Sequence, residues 1–166
     1  FSNRTVLLNS ADNDAPPENM QGLALAANGV FVGFFGNQVC FSLPYQPYAW
    51  PAKFRLTTEY NIVALGVASG FIVALTEENT YQITGSTPQN MDIAKIDVPY
   101  PCLSKDSVVN MGFGVMYATY AGMAVYNPAT GLDLITKFIH DWDTWNDTVD
   151  PTTIVGAYYN GKYFGS

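Results

Sequence analysis

Ile62-Val-Ala-Leu-Gly-Val-Ala-Ser-Gly-Phe-Ile-Val-Ala-Leu-Thr-Glu-Glu-Asn-Thr-Tyr-Gln-Ile-Thr84 is the stretch whose reading decides the fold. Two continuous apolar runs flank Ser69-Gly70, and a third run, Thr80-Tyr-Gln-Ile, follows the polar Glu77-Glu78-Asn79. Short apolar runs bounded by turn residues read as strands buried on both faces, since a strand with one wet face alternates instead. The same layout returns in Gly22–Ser42, in Val108–Asn127 and in Ile154–Ser166. Aligned on Gly29, Gly70, Gly114 and Gly161, the copies are spaced 41, 44 and 47 residues apart. Apolar triplets follow the first three anchors and Lys162-Tyr-Phe follows the fourth; a small residue comes next in each copy: Gly33, Ala74, Ala118 and Gly165.

Each unit predicts a hairpin and two further strands. Asn28-Gly29 and Asn160-Gly161 are strong hairpin turns because both positions accept positive φ; Ser69-Gly70 and Phe113-Gly114 are weaker versions. The next strand of each unit is Val39-Cys-Phe, Thr80-Tyr-Gln-Ile or Ala124-Val-Tyr. The outermost is Lys53-Phe-Arg-Leu, Ile93-Ala-Lys-Ile or Leu132-Asp-Leu-Ile. Arg4-Thr-Val-Leu-Leu8 reads as the same outer element of a preceding unit. Four strands in 40–50 residues is the pattern of a β-propeller blade. The expected fold is therefore all-β, a partial propeller of about three four-stranded blades plus the start of a fourth. The units cover about 20–58, 59–99, 104–139 and 151–166 of a single region, 1–166. A β-sandwich or jelly roll with recurring strands is the competing architecture. The small residue after each anchor suggests a place where backbones crowd, as near the axis of a ring of sheets. The one candidate helix lies around Leu132–His140, where the β-branched residues fit a strand as well. The chain starts at Phe1 and stops at Ser166 within a strand pattern, which reads as part of a longer polypeptide.

Composition supports a packed β protein. The 166 residues are 48% hydrophobic and only 13% charged, which excludes intrinsic disorder. Fourteen acidic residues against seven basic ones give a net charge of −7, and the basic residues are scattered. That excludes a nucleic-acid or anionic-membrane binder that works through clustered Lys and Arg. No apolar run reaches the length of a membrane span. Cys40 and Cys102 are too few for a disulfide scaffold and form no C-x-x-C; buried thiols or one bridge both fit.

Three loops hold the residues with chemical interest. Ser10–Met20 carries Asp12, Asp14 and Glu18, which could ligate a hard cation or simply be solvated. The stretch His140–Asp150 holds the single His, Trp142 and Trp145, and Asp141, Asp143, Asp147 and Asp150. It reads as a carbohydrate subsite of tryptophan faces beside acids, as a cation site, or as a connection whose tryptophans fill the gap between sheets. Trp145 and Asn146 break the EF-hand spacing, so no metal ligands are assigned. Tyr45-Gln-Pro-Tyr-Ala-Trp-Pro-Ala-Lys-Phe54 is rich in aromatics and proline. Tyr45, Tyr48 and Trp50 suit packing against another subunit or against their own domain. Together Tyr45, Tyr48, Trp50, Trp142 and Trp145 are the candidate interface or glycan contacts. No nucleophile elbow, metalloprotease helix, P-loop or dinucleotide fingerprint exists, so no catalytic residue and no cofactor is expected. A glycosidase would need two convergent carboxylates, for which Asp141, Asp143 and Glu77 are the candidates.

The runs Phe41–Pro51, Ile62–Met91 and Pro101–Met123, closed by Ile154–Ser166, resemble β-propeller-type virion proteins of tailed bacteriophages. They are most similar to the tail nozzle, or tail tubular B-like, components of short-tailed phages. The resemblance covers roughly 20–166 and brings no catalytic residues. It implies a non-enzymatic structural subunit of the virion tail. Such a subunit would form a cyclic homo-oligomer around the DNA exit channel and touch other tail proteins. An acidic wall would let DNA slide as through a passive conduit, because like charges repel. Nozzle subunits are much larger than this chain, which would then be one part. A carbohydrate-binding or carbohydrate-active propeller that recognises a cell-surface glycan is the alternative.

Overall fold

The computed structural model describes residues 14–97, 100–136 and 142–166. Arg4–Leu8, Asp12, His140 and Asp141 lie outside the described residues, as do the readings that rest on them. The described chain is all-β, built of four antiparallel sheets. Sheet 1 is β1 (Gln21–Leu25), β2 (Phe31–Phe35), β3 (Gln38–Phe41) and β4 (Arg55–Thr57). Sheet 2 is β5 (Ile62–Ala68), β6 (Phe71–Thr76), β7 (Thr80–Thr84) and β8 (Asp92–Ile96). Sheet 3 is β9 (Val109–Asn110), β10 (Val115–Thr119), β11 (Gly122–Asn127) and β12 (Gly131–Leu134). Sheet 4 is the hairpin β13 (Gly156–Tyr159) and β14 (Lys162–Gly165). In each sheet the strands neighbour one another in chain order, a plain up-and-down meander.

The sheets stack serially, and side-chain alternation explains how. Along β6, Ile72 and Ala74 enter the core shared with sheet 1, whereas Phe71, Val73 and Leu75 enter the core shared with sheet 3. Side chains of a strand point alternately to its two faces, so a strand between two sheets must be apolar throughout. This is why all six residues of β6 are buried. β10 divides the same way: Val115 and Tyr117 face sheet 2, Met116 and Ala118 face sheet 4. A bulge between Ile62 and Ala64 puts Val63 and Ala64 on the same side while Ile62 remains in the other core. First strands lie beside first strands: β1 next to β5, β5 next to β9, β9 next to β13.

Polar bonds tie the layers together. The Tyr117 hydroxyl lies 3.1 Å from Thr80 Oγ1 and donates to the Tyr100 carbonyl at 3.1 Å. The Tyr126 hydroxyl donates to Gln82 Oε1, crossing between the same two sheets. Ser104 Oγ donates to the Ile154 carbonyl and the Tyr163 hydroxyl to the Ser107 carbonyl, fastening the last hairpin to sheet 3.

The turns carry a correction to the glycine alignment. Ser69-Gly70 and Asn160-Gly161 are two-residue turns, closed by the pairs Ala68–Phe71 and Tyr159–Lys162. Both Asn160 (φ 49°) and Gly161 (φ 78°) are left-handed, as the Asn-Gly pair predicts. The Gly29 turn is wider, spanning 26–30, although Asn28 and Gly29 also have positive φ. The Gly114 turn spans four residues, 111–114. β6 and β10 both begin one residue after their anchor glycine, yet that residue faces the following sheet in β6 (Phe71) and the preceding sheet in β10 (Val115). The small residues Ala74 and Ala118 therefore sit in different cores and mark no common axis. Of the aligned small residues Gly33 is crowded, an added Cβ meeting Met20, and between sheets 2 and 3 the crowding is at Gly66 on β5, where a Cβ would overlap the Val115 side chain.

Of the two readings of Leu132–His140, the strand holds for Leu132–Leu134, which belong to β12, and 137–140 lie outside the described residues. Among the described residues the α-helix is α1, Trp142–Thr148, inside what reads as a loop. Trp142, Trp145 and Val149 have the i, i+3, i+7 spacing of an apolar helix stripe, a signal hidden among poor helix formers.

Candidate interaction surface

The aromatic–proline loop between β3 and β4 folds back on its own sheet. Leu43 N–H donates to the Ala49 carbonyl at 2.9 Å, and Gln46 N–H to the Leu43 carbonyl at 3.1 Å. Trp50 is buried, and its indole N–H donates to the Pro47 carbonyl at 2.8 Å. Asp14 holds the loop from outside: its carbonyl accepts from Trp50 N–H and its Oδ2 from Ala52 N–H, at 2.8 and 2.9 Å. Asp14 is thus engaged with backbone donors. Among the described residues no group of three or more His, Cys, Asp or Glu could hold a metal ion.

Tyr45 is the residue this loop presents. It is 79% exposed at φ 58°, a backbone region costly for a bulky side chain. Tyr45 N–H donates to the Gly29 carbonyl at 2.8 Å, and the ring covers Gly29, where a Cβ would collide with it. The pose of an exposed aromatic is therefore fixed by the β1–β2 turn, which suits a contact residue because little entropy remains to be lost on binding. Tyr48 is half-buried.

Trp145 is buried in the core between sheet 3 and sheet 4, and its indole N–H donates to the Thr119 carbonyl at 2.9 Å. Only 5% of Trp145 is exposed, so little of its ring is left for a sugar to stack on. Of the acids around it, Asp147 is exposed, and Asp150 Oδ1 accepts from the backbone and hydroxyl of Thr152. Those two bonds hold the Asp150 carboxyl below its ordinary range. Trp142 and Asp143 occupy the first turn of α1. Glu77 is exposed in the β6–β7 turn.

Apolar surface concentrates at the two ends of the stack, a location the sequence reading did not single out. On sheet 1, Leu23, Leu25 and Phe35 are exposed by 63, 59 and 45%. On sheet 4, Tyr159 and Phe164 are exposed by 74 and 53%.

The ionisable interior is structural in character. Burial pushes the Cys102 thiol up to about 12, and burial likewise raises Tyr117. Burial raises the Cys40 thiol too; both cysteines are free. Thiols held protonated in this way are poor nucleophiles. The ion pair between Lys95 and Glu59, 2.8 Å, is exposed and contributes little. No helix among the described residues is long and apolar enough to cross a membrane. No family model and no curated protein matches the chain.

Proposed function

We propose that the chain is a non-enzymatic structural component of a bacteriophage virion, a tail or nozzle subunit that contributes blades of a β-propeller to a ring around the DNA exit channel. The observation that carries this reading is the serial stack of meander sheets with adjacent first strands and apolar outer faces. Sheets stacked in this way fan about a common axis when they twist, as blades do. Exposed apolar side chains such as Leu23, Leu25, Tyr159 and Phe164 on a protein with so few charges suit surfaces meant to be covered. The partners are other tail proteins and further copies of the subunit, and the place of action is the virion tail. The net charge of −7 supports a passive DNA conduit, since an acidic wall does not hold phosphate.

Quantitative mass spectrometry of purified phage particles tests the reading. The chain should be present at a fixed, small-integer number of copies per particle, and its absence from particles would end the proposal. The glycan alternative keeps only the exposed part of the His140–Asp150 stretch, because Trp145 is covered. Binding on an array of bacterial polysaccharides that is lost with Asp147→Ala would favour that alternative.

A further inference from the structure

We propose that the outer edge of β4 takes up an extended acidic segment of a protein partner, one large apolar side chain of which enters the cavity between sheets 1 and 2. Phe41 N–H donates to the Phe54 carbonyl at 3.2 Å, and Thr58 N–H to the Asn37 carbonyl at 2.8 Å. Bonded and non-bonded positions alternate along an antiparallel ladder, so Phe54, Leu56 and Thr58 turn their main-chain groups toward β3. The N–H and C=O groups of Arg55 and Thr57 therefore point outward, and among the described residues no strand pairs with them. Beside this edge opens a cavity of about 290 Å³, walled by Phe41, Phe54, Leu56 and Met91. All four belong to, or pack against, the core between sheets 1 and 2, of which the cavity is an open end.

Charge says what would cover this edge. The chain holds fourteen acidic residues and seven basic ones. Two of the seven, Lys53 and Arg55, border the cavity, and no acidic residue does. Among the described residues neither is ion-paired. Lys53 Nζ instead sits 5.1 Å from the centre of the Phe54 ring, at the cavity wall. Cross-strand neighbours share a face, so Arg55 projects to the Cys40 side of sheet 1 while Phe54 and Leu56 point toward the cavity. An added antiparallel segment would thus set a carboxylate opposite Arg55, a large apolar side chain opposite Leu56 and a second carboxylate opposite Lys53. Main-chain bonds would supply affinity and these side chains selectivity, the general logic of strand addition. The outer edge of sheet 2 differs. There the Ile93 N–H is taken by Asp92 Oδ1 at 3.0 Å, and Lys95 is paired with Glu59. A capped donor and a neutralised cation guard that edge, whereas β4 presents open donors and unpaired cations. The inference needs only sheets 1 and 2 and stands apart from the virion reading.

The test uses the full chain, isotopically labelled, and the end-blocked peptide Thr-Phe-Glu-Thr-Glu, followed by amide hydrogen exchange. In antiparallel register its first Thr, Phe and first Glu stand opposite Thr57, Leu56 and Arg55, and its last Glu opposite Lys53. Saturating peptide should slow exchange at Arg55 and Thr57 by at least about tenfold, as for newly formed ladder bonds. The amide of Leu56, already bonded to β3, should change less. Replacing both Glu by Gln, or the Phe by Ser, should weaken binding at least about tenfold. The proposal is overturned if Arg55 and Thr57 are already protected in the free chain, or if millimolar peptide leaves them unprotected. It is equally overturned if the Gln or Ser peptide protects them as well as the parent, or if acetate at the same concentration does, which would mark a site for small anions.

Discussion

Sheet 2 and sheet 4 begin from nearly the same hairpin, and their fates differ. β6 of sheet 2 is buried along its whole length, between sheet 1 and sheet 3. β14 of sheet 4 rests on sheet 3 through Tyr163 alone, and its other face is exposed at Phe164. A two-residue turn and an apolar run therefore specify a hairpin in either setting. Whether its side chains add stability depends on the sheets beside it. The buried side chains of this fold lie between its sheets.

That contrast can be broken first at its centre. Leu75 is fully buried in the core between sheets 2 and 3, and Leu75→Ala should cost about 2–5 kcal/mol in chemical denaturation. Gly66→Ala comes next. Its methyl group would overlap the Val115 side chain, so a loss of about 1–3 kcal/mol is expected. A neutral effect would mean that the two sheets are not this close. Tyr117→Phe removes the hydroxyl shared by Thr80 and the Tyr100 carbonyl, and should cost about 1–2 kcal/mol.

Alkaline pH sharpens the same point. The Cys102 thiol is raised from an ordinary value of 9.0 to about 12. A raised acid favours folding fully below its unfolded value, and the advantage is lost as pH climbs toward the folded one. Stability should thus fall from about pH 9 upward, by at most about 1.4 kcal/mol per pH unit for this one thiol. Cys102→Ala should flatten the profile over that window in denaturation curves taken at several pH values. The smallest effect belongs to the end sheet: Phe164→Ala should change stability of the isolated chain by less than about 0.5 kcal/mol.

Much of the architecture was legible in residue order. The apolar runs about Gly70 and the third and fourth runs of each unit form strands, because continuous burial on two faces leaves a direct trace in sequence. The facing of β10 was not legible. β6 and β10 both begin one residue after their anchor glycine, and nothing in the residue order marks that they face opposite ways. The helix at Trp142–Thr148 was missed because Asp, Asn and Thr hide a stripe that tertiary packing of Trp145 stabilises. At the surface, Tyr45 was visible as an aromatic beside proline, whereas its support by Gly29 comes from two loops 16 residues apart. Trp50 and Trp145 carry the same sequence signal as Tyr45 and are core residues. An aromatic side chain in a loop does not announce which side it faces.

The proposed role of these sheets is contact within a symmetric tail. Electron cryomicroscopy of intact phage particles containing the chain measures this directly. Density for the chain is expected in a cyclic array about the tail axis, with the first strands β1, β5, β9 and β13 nearest one hub. A chain that is absent from the tail, or whose sheets lie in two face-to-face layers without a common hub, would contradict it.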